Sequence, residues 1–186
     1  MEKQDDKKRG GQGGRGGGRG GNKRREVREP REYDQKILDL SRVTRVTAGG
    51  KRMRFRVCLI IGDHLGQVGY GVTKGADVQI SVEKAVRAAK KKLMRIPLIN
   101  ETIPFAVKAK FGASEIILMP APKGTGLKAG GAVRSVLELA GVPNAVSKIL
   151  GSSNKINTVK ATFDALHQLK NATSTLQRKK VTTKVE

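Results

Sequence analysis

Apolar residues along this chain switch between a period of two and a period of about 3.6, and the switches mark out two folded stretches. Leu38 and Leu40 alternate with Asp39 and Ser41, and Val43 and Val46 follow in a β-branched run. This predicts a strand whose face parity slips once, at a bulge. Ala48-Gly49-Gly50-Lys51 is a turn. Met53, Phe55, Val57, Leu59 and Ile61 then occupy every second position, with Arg52, Arg54 and Arg56 between them. A strand with that period carries three arginines on one face and apolar side chains on the other. Cys58 and Ile60 fall on the arginine face, so its far end is expected to be covered. Gly62-Asp63-His64-Leu65-Gly66 is the next turn, with His64 a surface residue in it. Val68, Tyr70 and Val72 follow, alternating with Gly69 and Gly71. Glycines inside a strand mark a bend or the close approach of another backbone. An RNA backbone and a neighbouring helix both fit.

Helical spacing begins after Asp77, a candidate N-cap, with Val82, Ala85, Val86, Ala89, Leu93 and Ile96 as the buried stripe. Lys84, Arg87, Lys91 and Arg95 form another face, joined by Lys90 and Lys92, and Pro97 ends the helix. Residues 98–104 are a short connector. Alternation over 105–111, a turn at Gly112-Ala113-Ser114 and the apolar run Ile116-Ile117-Leu118-Met119 predict a hairpin. A glycine-rich loop over 120–131 leads to a helix with Val133, Val136, Leu137 and Ala140 inward, Gly141 at C′ and Pro143 forbidding continuation. Residues 145–150 form another strand. Ser153 or Asn154 caps a last helix with Ile156, Val159, Phe163 and Leu166 buried. Lys155 and Lys160 point elsewhere, and His167 lies on the helix surface.

Charge changes this picture from a generic α+β chain to a polyanion binder. The 186 residues hold 38 Lys and Arg against 16 Asp and Glu, a net of +22. Residues 30–170 alone carry 24 basic and 10 acidic residues, so the tails do not explain the excess. A folded body this basic is the electrostatic footprint of nucleic-acid binding. Within it, 30–97 holds 15 basic and 6 acidic residues, which makes that half the main candidate grip. Three strands and one basic helix resemble a double-stranded-RNA-binding module, which reads shape and phosphates. Aromatic residues are only 3% of the chain, which argues against base stacking. Residues 1–30 are expected to be a disordered basic tail, with Arg9-Gly10-Gly11, Arg15-Gly16-Gly17 and Arg19-Gly20-Gly21 suited to loose RNA contact. Residues 171–186 are expected to be a second disordered tail.

Other chemistries find little support. One Cys excludes a disulfide framework and a multi-Cys zinc site, and two distant His make a His-based metal site a poor expectation. No apolar run approaches the ~18–20 residues of a membrane span, and the N-terminus reads neither as a secretory signal nor as a presequence. The loop Gly124-Thr-Gly126-Leu-Lys-Ala-Gly130-Gly131 is the one enzymatic temptation. It lacks the Gly-Lys-Ser/Thr of a P-loop and the acid of a dinucleotide fingerprint. The same loop suits an RNA phosphate, or tight turns alone.

Several motifs together resemble one family. Gly50-Lys51 through Phe55-x-Val57, then Ile60-Ile61-Gly62-Asp63-x-x-Gly66-x-Val68-Gly69-x-Gly71, resembles the signature of the bacterial-type fifth protein of the small ribosomal subunit. Gly124-Thr125-Gly126, Ala129-Gly130-Gly131-Ala132-x-Arg134 and Gly151-Ser152-x-Asn154-x-Ile156-Asn157 also look like that family. The likeness covers roughly 34–170, and the RGG tail departs from the compact bacterial form. It implies two domains, 31–97 and 98–170, the second a two-layer β-α-β-α unit with a left-handed crossover, against the usual right-handed rule. It implies small-subunit rRNA as the partner, with the fourth and eighth small-subunit proteins as neighbours. It further implies a place between body and head near where mRNA enters, and roles in assembly and decoding accuracy.

The candidate rRNA contacts are Arg42, Thr44, Arg45, Lys51, Arg52, Arg54, Arg56, Lys74, Arg87, Lys91, Lys123, Lys128 and Lys155. The resemblance places the stretch from Arg42 to Lys51 near the spectinomycin site, and Gly124, Thr125, Gly126 and Arg134 toward the fourth protein. No catalytic residue, metal or cofactor is expected, nor a membrane or small-molecule substrate. The expected location is the ribosome in the cytoplasm. Two rivals remain: a free RGG-type RNA chaperone, and a nucleotide-dependent transferase using the glycine loop.

Overall fold

The first sheet pairs its strands in chain order, β1 (Asp34–Thr47), β2 (Gly50–Gly62), β3 (Gln67–Gly75) and the short β4 (Met94–Arg95), all antiparallel. The computed structural model describes residues 33–182, with side chains to residue 173. The RGG tail and the last four residues lie outside the described residues. The parity slip in β1 is a register shift between Ile37 and Asp39, so Leu38 is the bulged residue.

Helix α1 (Val78–Lys90) lies on one face of this sheet. It buries Ala85 and Ala89 against Val57, Leu59 and Ile61. Small residues on both sides allow this closeness. A Cβ at Gly69 would lie 2.6 Å from the Ala89 carbonyl oxygen, and one at Gly71 would overlap the backbone of Ala85. The neighbouring helix, not RNA, is what these strand glycines admit. Asp77 is the N-cap by its extended backbone, but its side chain makes no capping bond.

The expected helix end at Pro97 is corrected by seven residues. The helix stops at Lys90, and Met94 and Arg95 pair with Val68 and Gln67 as a fourth strand, where the expectation was three. Leu93 and Ile96 keep helical spacing by coincidence. Met94 and Ile96 are buried as parts of an extended segment.

The second sheet has the order β5-β6-β8-β7. β5 (Val107–Phe111) and β6 (Ser114–Pro120) form the hairpin, β8 (Ala145–Gly151) adds antiparallel to β6, and β7 (Leu127–Lys128) pairs parallel to β8. Helix α2 (Gly131–Leu139) connects β7 to β8, and α3 (Lys155–Thr182) follows. Asn154, not Ser153, caps α3: its Oδ1 accepts from the Ile156 amide at 3.0 Å. The tail expected from residue 171 is helix as far as Thr182.

Both helices join the two sheets in one hydrophobic cluster. Cys58, Ile60 and Val68 of the first sheet pack with Ile116, Leu118, Val136, Leu137, Phe163 and Leu166. The rings of Tyr70 and Phe163 meet at 4.5 Å between centroids. This is the cover that Cys58 and Ile60 required.

Candidate nucleic-acid interface

The β1–β2 hairpin has two chemically different faces, fixed by its register. Ser41 faces Arg56, Val43 faces Arg54 and Arg45 faces Arg52, while Lys74 of β3 faces Arg56 from the other side. Directly paired residues share a face. One face therefore carries Arg45, Arg52, Arg54, Arg56 and Lys74. The other carries Arg42, Thr44, Val46, Lys51, Met53 and Phe55, continuing into Val57, Leu59 and Ile61 beneath α1.

Along the basic face the environment changes stepwise. Ile60 and Cys58 are fully buried under the second sheet's helices. Arg56 is half-buried, and its guanidinium lies 3.7 Å from the Asp39 carboxylate. Beyond it Arg54, Arg52 and Arg45 are exposed, with no ion pair among the described residues. Arg45 and Arg52 stand directly opposite each other, an arrangement of like charges that destabilises a bare sheet. Lys74 is exposed at the edge of the same surface.

Asp39 also acts on Cys58. Burial pushes the Cys58 thiol up to about 11, with the Asp39 carboxylate adding to the shift and Arg56 and Lys160 opposing it. A thiol so raised is a core side chain and not a nucleophile.

The remaining sequence candidates do not all converge here. Arg87 and Lys91 are exposed at α1 and its C-cap, on the opposite side of the sheet from the arginines. Arg42, Thr44 and Lys51 belong to the hairpin's other face. In the second half, Lys155 reaches back, donating from Nζ to the Leu38 carbonyl oxygen at 3.2 Å, so it ties α3 to the bulge in β1. Lys123 pairs with Glu101 at 3.2 Å. Lys128 is exposed on β7.

The glycine loop is turn geometry. Gly124 and Gly126 have φ of 86° and 70°, with open space where a Cβ would stand. The Gly126 amide donates to Asn144 Oδ1 at 3.0 Å, and Thr125 closes a turn onto Pro122. Arg134 is exposed, and its Nε donates to Glu138 at 2.7 Å.

Glu138 was invisible to the sequence reading. Its other carboxylate oxygen accepts from Lys36 Nζ of β1 at 3.0 Å, and its carbonyl oxygen accepts from His64 Nδ1 at 2.9 Å. Hydrogen bonds from Arg134 and then Lys36 hold its carboxyl below the usual carboxylate range. His64 is an exposed residue of its turn, as expected. The loop at 62–66 also satisfies the end of α2: His64 N donates to Leu139 and Gly66 N to Ala140, both at 3.0 Å. No pattern of apolar spacing signals such a contact.

Comparison with protein families gives two matches. A family model described as ribosomal protein S5, N-terminal domain, matches residues 33–97. Another, ribosomal protein S5, C-terminal domain, matches residues 109–180.

Proposed function

The chain belongs to the ribosomal protein S5 family, and from that premise we propose that its hairpin arginines grip small-subunit rRNA through phosphates. The family is structural and non-enzymatic, works in the small subunit during translation, and binds RNA. The observation that carries the finer reading is the pairing of Arg45 with Arg52, flanked by Arg54 on one exposed face. A sheet that sets like charges side by side, outside the cover of its core, is built for a polyanion.

On this reading residues 31–97 act as a shape-reading module and 98–170 as a docking domain whose β7-α2-β8 crossover is left-handed. Arg42, Thr44, Lys51, Arg87, Lys91, Lys123 and Lys128 are peripheral contacts. Lys155 and Arg56 share their charge with the protein itself. Gly124, Thr125, Gly126 and Arg134 face the fourth small-subunit protein, and the eighth lies nearby. The protein then steadies the head against the body near where mRNA enters, and contributes to assembly and decoding accuracy in cytoplasmic ribosomes.

Sedimentation tests it. An epitope-tagged full chain is expected with the small subunits of a lysate, held there through a salt wash that strips loosely bound proteins. A chain confined to the light fractions overturns the proposal.

A further inference from the structure

The side of the first sheet that carries α1 has cations of its own. Lys84, Arg87 and Lys91 follow one another at spacings of three and four, so they form one stripe along the helix. Ala85 and Ala89 are buried against the sheet, and the three cations are exposed. From Lys84 to Lys91 the stripe is about 10 Å long. None of the three has an ion pair among the described residues. Like charges at this spacing destabilise a bare helix. Lys90 and Lys92 are engaged instead: their Nζ atoms lie 5.7 Å and 4.8 Å from the ring centroids of Tyr33 and Tyr70. Arg42 and Lys51 stand on this same side of the sheet, where the hairpin runs on past Phe55 and the start of α1.

The makeup of the stripe selects its partner. A protein interface has an apolar centre depleted of lysine. The one large apolar residue that α1 exposes is Ile80, in its first turn. Single-stranded RNA asks for rings on which its bases stack. The two tyrosines nearby are already covered by Lys90 and Lys92. A row of cations without free rings suits the phosphates of duplex RNA, which is read by shape. Arg45, Arg52 and Arg54 face the other way. A sheet layer of about 10 Å and a helix of about 10–12 Å separate the two sets, roughly 20 Å in all. A duplex lying against one set is out of reach of the other. We propose that Lys84, Arg87 and Lys91, with Arg42 and Lys51 beside them, are a second grip for duplex RNA. The chain then bridges two RNA duplexes, one on each side of its first sheet.

This rests on the small-subunit reading, in which Arg87 and Lys91 are only peripheral, and the test separates the two. In the full chain a photoreactive amino acid replaces half-buried Ala88, beside the stripe, or Arg54 on the opposite face. The chain is first sought in purified small subunits, and its absence there overturns the small-subunit reading itself. After irradiation both probes are expected to give RNase-sensitive adducts, and sequencing is expected to place them in different rRNA duplexes. Adding Lys84→Gln, Arg87→Gln and Lys91→Gln is expected to lower the position-88 adduct about fivefold, since losing phosphate contacts weakens binding whatever the sequence. The position-54 adduct is expected to stay unchanged by the same three substitutions, which also reports an intact fold. Where position 88 does not accept the probe, position 84 carries it, with the other two substitutions. A protein adduct or no adduct at the stripe overturns the second grip. So do adducts from both faces in one duplex, a stripe adduct indifferent to the glutamines, or an equal fall at both positions.

Discussion

His64 Nδ1 donates to the carbonyl oxygen of Glu138 at 2.9 Å, a bond that crosses 74 positions of the chain and joins the first sheet to α2. Its Nε2 lies 3.1 Å from Asp34 Oδ2, so one ring touches the start of β1 and the end of α2 together. The backbone accepts strain to place it, with φ at 57°. His64→Ala keeps that strain and loses the ring, and is expected to lower stability by about 1 kcal/mol. His64→Gly loses the ring but relieves the strain by roughly 1 kcal/mol, so it is expected to be the more stable of the two variants. Urea midpoints measure this. The usual order, with Ala above Gly, would show that the positive φ is not retained in solution.

Close packing at Gly71 predicts a sharp contrast with Gly131. A Cβ at Gly71 meets the Ala85 backbone, which cannot yield without moving α1 off the sheet. Gly71→Ala is expected to destabilise by about 3 kcal/mol or more, at the upper end for overpacking. A Cβ at Gly131 meets open space at the first helical position. Gly131→Ala is expected to be neutral or to stabilise by up to about 1 kcal/mol. Thermal melting of the two variants side by side reads the difference.

Glu138 predicts a pH dependence. Its folded-state carboxyl is held below the ordinary value of 4.5 by Arg134 and Lys36. A depressed carboxyl contributes stability above its unfolded value, and the contribution is lost as pH falls through the folded one. Glu138→Gln is therefore expected to be less stable than the parent chain at pH 7, with the gap closing below pH of about 4 as the parent's own carboxylate protonates. Denaturant midpoints at several pH values test it, and a gap that persists undiminished in acid would assign the effect to packing.

Strand alternation made the basic and apolar faces of β2 legible from the sequence, because a period of two needs no tertiary knowledge. It also showed that Cys58 and Ile60 required a cover. The ends and the ties were not legible. Leu93 and Ile96 satisfy helical spacing whether or not the chain is helical there, and only the pairing of Met94 with Val68 decides against it. Gly69 and Gly71 announced a close approach without saying whose. Nothing in the sequence marks Lys155 or Lys36 as paired. Their partners, the Leu38 carbonyl and Glu138, lie 117 and 102 positions away, and nothing local encodes them. Asp39 is the same case: the sequence shows it only as alternating with Leu38 and Leu40, and it sits against Arg56.

That last pairing sharpens what salt titration should find. Arg45, Arg52 and Arg54 are exposed and unpaired among the described residues, while Arg56 is half-buried with Asp39 beside it. Each phosphate contact removed lowers the slope of log affinity against log salt by roughly 0.7–0.9 units. Replacing Arg45, Arg52 and Arg54 together by Gln is expected to flatten the slope for a small-subunit rRNA fragment by about two units or more. Gln also removes the repulsion between Arg45 and Arg52, so the free protein should melt no lower than the parent. Arg56→Gln is expected to do the reverse, changing the slope little and lowering stability, because it leaves the half-buried Asp39 carboxylate without its cation. Filter binding from low to moderate salt, alongside melting curves, separates the two roles. Equal slope changes for all four arginines would place Arg56 among the phosphate contacts after all.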